Sequence, residues 1–175
     1  MSERADTPPM SVNTSLLSEV QSFVYREAQL IDQGEYERWF DLFTEDAIYW
    51  MPLGYGQTEA DQYNALFFED RLLLQVRIER IRHPRAFSQS PPSRCQHVLQ
   101  SPRIERQVGH ADGVAVSTCT PFFYAESHGD DQFWLAGTVH HELVPTGSED
   151  GWQIHRKRIE LLNREAALPS IELFI

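Results

Sequence analysis

Apolar residues at helical spacing dominate the N-terminal part of the chain. Between residues 15 and 33 they recur every three or four positions, as on one buried helix face: Leu16, Leu17, Val20, Phe23, Val24, Leu30 and Ile31. Thr14 or Ser15 can cap the start of this helix, and Gly34 suits a left-handed stop. The pattern predicts a first helix over residues 15–33.

A dense aromatic stretch over residues 36–54 is expected to organise the core. It begins with apolar residues at helical spacing, which are Tyr36, Trp39, Phe40 and Phe43. The pattern breaks at residues 44–46, and residues 47–51 form an aromatic and β-branched run typical of a strand. Pro52 ends that run. A short helix is therefore predicted to turn directly into a strand, at the point where helices pack on a curved sheet.

A third helical pattern covers residues 71–82, after a loop-like segment over residues 54–66. Asp70 can cap this helix, and His83-Pro84 ends it, because the residue before a proline disfavours helical backbone. Its predicted apolar stripe is Leu74, Ile78 and Ile81, widened by Leu73 and Val76.

The same helix carries a basic cluster in an otherwise acidic chain, formed by Arg77, Arg80 and Arg82. Two interpretations stay open. The cluster is either a solvated helix face with ion pairs to neighbours such as Glu79, or a docking surface. In the second case the three arginines are a candidate subunit interface.

Alternation of apolar and polar residues replaces helical spacing in the C-terminal half, after a rigid Pro91-Pro92 segment. Turn signals rich in Gly and Asp separate four strand-like segments, at 95–107, 113–126, 132–144 and 152–162. Strands joined by tight turns predict an antiparallel meander. Helices followed by strands predict an α+β fold, with the helices against one side of a strongly curved sheet.

Length and charge narrow the classes of function. The 175 residues predict a single domain over 14–175 behind a flexible arm over 1–13. The net charge of −11 disfavours nucleic acid and anionic membranes as partners, because both are negatively charged. No apolar run approaches the roughly 20 residues of a membrane span, and the first residues lack the apolar core of a signal peptide. Cys95 and Cys119 are interpreted as reduced thiols, so a cytoplasmic protein is expected.

Seven histidines raise the question of a metal site, but their spacing does not support one. His140 and His141 are adjacent, so on a strand they point to opposite faces. The sequence has no HxxxH, HExxH or Cys/His quartet, and no GxGxxG, GxxxxGK[ST] or GxSxG motif. We therefore predict no metal and no cofactor in this chain.

Acid–base chemistry has its own candidates. Asp46 and Tyr49 follow the second helix, and His97 or His140 lies on the predicted sheet. These side chains could converge on an interior cavity, where a buried carboxylate can serve as a general base. In the alternative interpretation Asp46 braces the turn and Tyr49 packs in the core. Cys95 and His97 are likewise either a nucleophile with its base or two ordinary strand residues.

Several segments carry a resemblance to known families. The helix–strand junction resembles the NTF2-like superfamily of nuclear transport factor 2 and ketosteroid isomerase, in the residues Trp39, Leu42-Phe43, Asp46-Ala47 and Tyr49-Trp50-Met51-Pro52. A closer resemblance is to the small, or beta, subunits of aromatic-ring-hydroxylating dioxygenases. It is carried by Arg77-Ile78-Glu79-Arg80-Ile81, Ala86-Phe87-Ser88, Pro91-Pro92-Ser93-Arg94 with His97, the segment 152–162, and the tail Leu173-Phe174-Ile175.

The resemblance implies an NTF2-like (cystatin-like) cone, in which about three N-terminal helices pack on a strongly curved antiparallel sheet. It also implies a structural small subunit without catalytic residues, which assembles with a large alpha subunit into an α3β3 hexamer. The alpha subunit would hold the Rieske [2Fe–2S] cluster and a mononuclear Fe(II). Ferredoxin and reductase proteins would deliver electrons from NAD(P)H. Two cysteines without Cys-x-His spacing agree with a chain that holds no Rieske centre.

A free-standing NTF2-like isomerase or dehydratase is the alternative function. It would use Asp46, Tyr49 and His97 as its acid and base.

Overall fold

The computed structural model describes residues 13–57, 65–83, 91–147 and 151–175. Three helices lie in the first half of the described chain: α1 Thr14–Asp32, α2 Tyr36–Phe40 and α3 Arg71–Arg82. The strands are β1 Phe43–Pro52, β2 Ala65–Asp70, β3 Arg94–Leu99, β4 Arg103–His110, β5 Gly113–His128, β6 Asp131–Pro145 and β7 Trp152–Leu161. The α+β fold with helices preceding the long strands is therefore confirmed. The predicted arm over residues 1–13 lies, except for Asn13, outside the described residues.

All of the described strands join one curved, unclosed sheet of seven strands in the order β2-β1-β7-β6-β5-β3, with β4 also paired to β5. Pairing is antiparallel except between β1 and β7, which are parallel. β1 precedes the meander in the chain and lies beside its last strand, β7. Strand periodicity alone carries no signal for that choice.

The single strand predicted over 95–107 is wrong, because the structure divides it into β3 and β4. Both pieces pair with the same edge of β5: β3 lies along residues 122–127 and β4 along 113–119. The break falls at residues 100–102, where Pro102 has no backbone N–H to give to a ladder. The backbone N–H of Gln100 donates to the carbonyl of Pro121 and holds the end of β3 in place.

Helix α1 matches its predicted range within one residue at each end, and Gly34 has the expected positive φ of 70°. The cap differs from the two candidates. The side chain of Asn13 accepts the N–H of Ser15 at 3.0 Å, and asparagine is among the strongest N-cap residues.

The aromatic stretch forms a helix and a strand as predicted, but the strand begins earlier. Phe43, which was placed on the helix face, is the first residue of β1. Residues 44–46 do not interrupt the strand. They form an irregularity in which the pairing of β1 with β7 shifts between Phe43 and Ile48. Phe43 and Tyr49 both belong to the core.

Helix α3 has the predicted bounds, and the Asp70 carboxylate accepts the N–H of Leu73 at 2.9 Å as its cap. Leu74 and Ile78 are buried as expected. Leu73 and Val76 are exposed, so the predicted widening of the stripe is wrong. Residues 54–57 lie outside helices and strands, as predicted for the loop, whereas residues 65–66 belong to β2. Residues 58–64 of the predicted loop and Pro84 lie outside the described residues, and Pro91-Pro92 precedes β3.

The core fills the space between the helices and the sheet, which we call the interior. The first two helices contribute Val20, Val24 and Trp39, the sheet contributes Tyr49, Tyr124 and Ile154, and the tail contributes Leu173, Phe174 and Ile175. Among the described residues, no helix is long and apolar enough to cross a membrane.

Candidate functional site

The interior is the natural place for a ligand in such a fold, and a hydrophobic tail occupies it. Phe174 is completely buried. The centroid of its ring lies 4.4 Å from that of Trp39, 5.5 Å from Tyr36 and 6.1 Å from Tyr49. The aromatic residues of the 36–54 stretch and the hydrophobic tail therefore pack together in one aromatic cluster.

Buried polar groups hold the backbone of the tail. The carboxylate of Glu126 accepts the N–H of Glu172 at 3.0 Å and the hydroxyl of Tyr124 at 2.6 Å. The hydroxyl of Tyr49 donates to the carbonyl of Ile175 at 3.2 Å and accepts its N–H at 3.1 Å. Burial raises the pKa of Tyr49 well above its ordinary value, so this hydroxyl keeps its proton.

Arg77 of α3 binds the same tail. Its guanidinium donates to the carbonyl of Leu173 at 2.7 Å and lies 3.1 Å from the carboxylate of Glu69. It also lies 4.2 Å from the ring centroid of Phe67 and 4.5 Å from that of Phe174. The side chain is only 11 % exposed, so Arg77 is a structural residue rather than part of a solvated face.

The other two arginines of the basic cluster are at the surface. Arg82 forms an ion pair with Glu37 and donates to the carbonyl of Gly34 at 3.1 Å, which ties α3 to the α1–α2 connection. Arg80 is exposed and forms no ion pair within the described residues. The expected pair with Glu79 is not formed, since Glu79 accepts from Gln75 at 3.3 Å instead.

A buried charged cluster lies at the centre of the interior. The ammonium of Lys157 is 2.6 Å from Glu27, and the indole N–H of Trp39 donates to the same carboxylate oxygen at 2.5 Å. The ring of His141 lies 3.6 Å from the other oxygen. Burial alone would raise the pKa of the Glu27 carboxyl, but the Lys157 and His141 interactions offset it and hold the pKa well below its usual range. Glu27 lies on the apolar face of α1, three positions after Val24 and three before Leu30, and this charged residue at an apolar position was a signal that the sequence-based prediction left out.

The cavity beside this cluster is too small for a substrate. Its volume is about 10 Å³, and its lining includes Glu27, His97, His141, Lys157 and Ile175. Ligand pockets usually occupy about 300–1,000 Å³, whereas about 10–15 Å³ is the space of one water. The interior is therefore a packed core with buried charges.

The structure does not bring the predicted acid–base residues together. The Asp46 side chain is 76 % exposed and contacts Thr44 and His155 instead. Tyr49 is bonded to the tail, as described above. The ring of His97 lies 2.6 Å from Asp32, at the end of α1. His140 lies across the sheet, near Glu105 and Glu160. The arrangement matches the interpretation in which Asp46 braces the turn and Tyr49 packs in the core.

Cys95 and His97 both contact Asp32, and neither serves the other as a base. The Cys95 thiol lies 3.7 Å from the Asp32 carboxylate, and burial together with that carboxylate raises its pKa to about 12. Such a thiol is not a nucleophile at neutral pH. Both Asp32 oxygens accept the backbone N–H of His97, at 3.0 and 3.1 Å, which joins α1 to β3.

Larger depressions lie on the outside of the fold. One, of about 660 Å³, has exposed apolar residues on its border: Tyr55, Val98, Phe123 and Leu162. Trp134, 64 % exposed, extends this surface on β6, and we call these five residues the outer patch. A second depression of about 740 Å³ runs along α3 and includes Leu73, Val76 and Arg80. The outer patch was not predicted from the sequence, because its five members come from five separate segments of the chain.

Comparison with known proteins agrees with this architecture. The family model for the ring hydroxylating beta subunit matches residues 26–166. The beta subunit of biphenyl 2,3-dioxygenase from Rhodococcus jostii is 28 % identical over 87 % of this chain and 85 % of its own length. The anthranilate 1,2-dioxygenase small subunit from Acinetobacter baylyi is 30 % identical over 82 % of this chain and 88 % of its own length.

Solved structures share the fold. The beta subunit of benzoate 1,2-dioxygenase from Burkholderia mallei superposes with a TM-score of 0.69 at 23 % identity, over 90 % of this chain and 97 % of that one. A chain of naphthalene 1,2-dioxygenase superposes with a TM-score of 0.71 at 14 % identity, over 95 % of this chain and 89 % of that one. The fold is that of NTF2-like proteins, and the chain belongs to the family of beta subunits of aromatic-ring-hydroxylating dioxygenases.

Proposed function

We propose that this chain is the structural, non-catalytic small subunit of the terminal oxygenase in a multicomponent aromatic-ring dioxygenase. One observation carries the proposal: Phe174 and the charged cluster of Glu27, His141 and Lys157 fill the interior, and leave about 10 Å³ beside them. An NTF2-like enzyme needs a cavity there, with an acid and a base in reach of one substrate. The free-standing isomerase or dehydratase therefore has no site among the residues described.

The proposed complex supplies the chemistry. It would insert both atoms of O2 into the ring of an aromatic compound, in cytoplasmic aromatic catabolism. A large alpha subunit would hold the Rieske [2Fe–2S] cluster and the mononuclear Fe(II), and ferredoxin and reductase proteins would pass it electrons from NAD(P)H. This chain would support α3β3 assembly. The names of its relatives, subunits of biphenyl and anthranilate dioxygenases, support this assignment.

The outer patch is our candidate for subunit contact. Obligate interfaces are enriched in aromatic residues and depleted in charge at their centres, and an exposed cluster of Tyr, Val, Phe, Trp and Leu matches that composition. Arg77, Arg80 and Arg82 of α3 were the interface predicted from the sequence. Arg77 and Arg82 form ion pairs within the chain. Arg80, which lies beside the exposed Leu73 and Val76, is therefore the remaining candidate for subunit contact on this helix.

Co-expression with the candidate large subunit tests the assembly. We expect light scattering after size exclusion to give the mass of a hexamer, with all of the iron on the large chain. A chain that stays apart from the large subunit, or that carries iron alone, would contradict the proposal.

Phe123→Asp in the outer patch tests the surface, with Tyr25→Asp on α1 as the matched control, since both aromatics are exposed. We expect the first to reduce hexamer formation while the thermal midpoint of the separate chain stays unchanged, and the second to leave assembly intact. Equal assembly by both variants would remove the outer patch as an interface.

A further inference from the structure

A cysteine, a histidine and a glutamate from three strands meet on the sheet face that carries His140, away from the interior. Glu105 of β4, Cys119 of β5 and His140 of β6 each offer one ligand atom, and these atoms all lie within 4.8 Å of one another. Sequence spacing could not show the group, because β4 and β6 reach β5 from opposite sides. The proposed function uses none of these residues.

We propose that Glu105, Cys119 and His140 form a zinc site that joins β4 to the centre of the sheet. Zinc favours this mixture of thiolate, imidazole and carboxylate, at about 2.0–2.3 Å from each ligand atom. Tetrahedral bonds of that length set neighbouring ligand atoms about 3.5 Å apart. The Nδ1 of His140 already lies 3.5 Å from the Glu105 carboxylate. Three protein ligands leave the fourth position to water.

Glu160 of β7 lies where metal-binding histidines usually have a carboxylate partner. The Nε2 of His140 lies 3.9 Å from the Glu160 carboxylate, on the side of the ring opposite to Glu105. The 3.9 Å separation is longer than a hydrogen bond, so the carboxylate–histidine contact of other zinc sites would form here only if the two side chains moved closer on zinc binding. Arg158 and Arg164 in turn hold Glu160, at 3.6 and 3.8 Å.

Charges around the group are compatible with a bound cation. Arg103 donates to the Cys119 sulfur at 3.5 Å, and Arg158 forms an ion pair with Glu160, the carboxylate near His140. Glu105 and Glu160 balance these two arginines. Zinc binding would expel the thiol proton to solvent, so the ion would add one net positive charge.

A second group, Asp32, Cys95 and His97, also has its ligand atoms within 4.8 Å. There the Asp32 carboxylate already contacts four groups, which are the backbone N–H and the ring of His97, the Gln96 amide at 2.8 Å and the Cys95 thiol at 3.7 Å. An ion would have to break the contact between α1 and β3. The second group therefore serves as the internal control.

Metal titration of the full-length, tag-free chain tests the site. After treatment with a chelator, we expect one zinc per chain by calorimetry, with release of one proton. Cobalt should give thiolate charge-transfer absorption. Cys119→Ser should abolish that absorption, and Cys95→Ser should retain it. Glu160→Gln should weaken zinc binding about 10–100-fold, the usual effect of an outer-shell partner.

Glu105→Gln keeps the test decisive if Cys119→Ser fails to fold, because Glu105 is exposed and its loss should leave the fold intact. We expect this variant to bind zinc more than about tenfold more weakly. Absence of saturable binding, or binding that only Cys95→Ser removes, would overturn the proposal. Iron bound by the large subunit is assayed separately, so failure here leaves the proposed function untouched.

Discussion

The ammonium of Lys157 lies 2.6 Å from the carboxylate of Glu27, and each side chain is only 2 % exposed. The two residues come from β7 and α1, which are 130 positions apart in the chain. Their contact therefore forms only when the first helix docks on the last strand. A buried ion pair fixes this docking even where it adds little net stability.

Removing one partner should be far more damaging than removing both. Lys157→Met leaves the Glu27 carboxylate buried without its cation, which typically costs about 3–5 kcal/mol. We expect the double variant Glu27→Leu with Lys157→Met to regain most of that loss in chemical denaturation. Arg38→Gln, which breaks the exposed pair with Glu35, is the control and should cost less than about 1 kcal/mol. A double variant no more stable than the single one would show that no charge penalty is involved.

Stability should fall as the pH decreases below about 6.5. Burial lowers the pKa of His141 in the folded chain. The nearby Glu27 carboxylate acts in the opposite direction, whereas the positive charge of Lys157 lowers the pKa further. The unfolded chain, with a histidine pKa of about 6.5, then binds more protons than the folded chain, so the free energy of unfolding decreases toward acid.

Urea denaturation from pH 7.5 to 5 measures this effect. His141→Gln should reduce the slope by at most about 1.4 kcal/mol per pH unit. Part of the pH dependence should remain in this variant because of His140, whose pKa is also lowered by burial and by Arg158. The carboxylates of Glu160 and Glu105 offset some of that lowering. His155→Gln, at a partly exposed position, serves as the control, and an equal change of slope in both variants would refute the assignment to His141.

Arg77 and Arg80 should respond differently to replacement by lysine. An ammonium cannot reproduce the planar contacts of Arg77 with Phe67 and Phe174 while it also bonds Glu69 and the Leu173 carbonyl. We expect Arg77→Lys to lower the free energy of unfolding by about 1.5–3 kcal/mol. The exposed Arg80→Lys should change it by less than about 0.5 kcal/mol. Equal thermal midpoints for the two variants would mean that Arg77 does not clamp the tail.

Gly137 should not tolerate a side chain. A Cβ at this position would lie 2.3 Å from the carbonyl oxygen of Glu160, so the β6 and β7 backbones would have to separate. We expect Gly137→Ala to destabilise the chain by about 1–3 kcal/mol. Gly109→Ala on β4, where a Cβ meets nothing within 4 Å, is the matched control and should be close to neutral. The free energy of unfolding of each variant is measured by chemical denaturation. An equal loss in both variants would mean that alanine is unfavourable in these strands in general, and that the close approach of the Glu160 carbonyl is not the cause.

Local signals in the sequence were sufficient for most of the elements. Helix α3 was predicted with its cap and its bounds, because Asp70, the apolar spacing and His83-Pro84 all act within a few residues of one another. The resemblance to the beta-subunit family was also carried by local runs of residues. The boundary between β3 and β4 was missed, although Pro102 is itself a local signal against a continuous strand.

Only the tertiary structure decided which side chains meet. The sequence by itself determined an α+β chain with an acidic surface, three helices and a meander, because periodicity and turn residues express short-range preferences. It could not show that Phe174 packs in the interior, that Glu27 forms an ion pair with Lys157, or that Arg77 binds the backbone of the tail. Those contacts join segments that lie far apart in the chain, and their free energy becomes available only when α1, β1, β7 and the tail pack together.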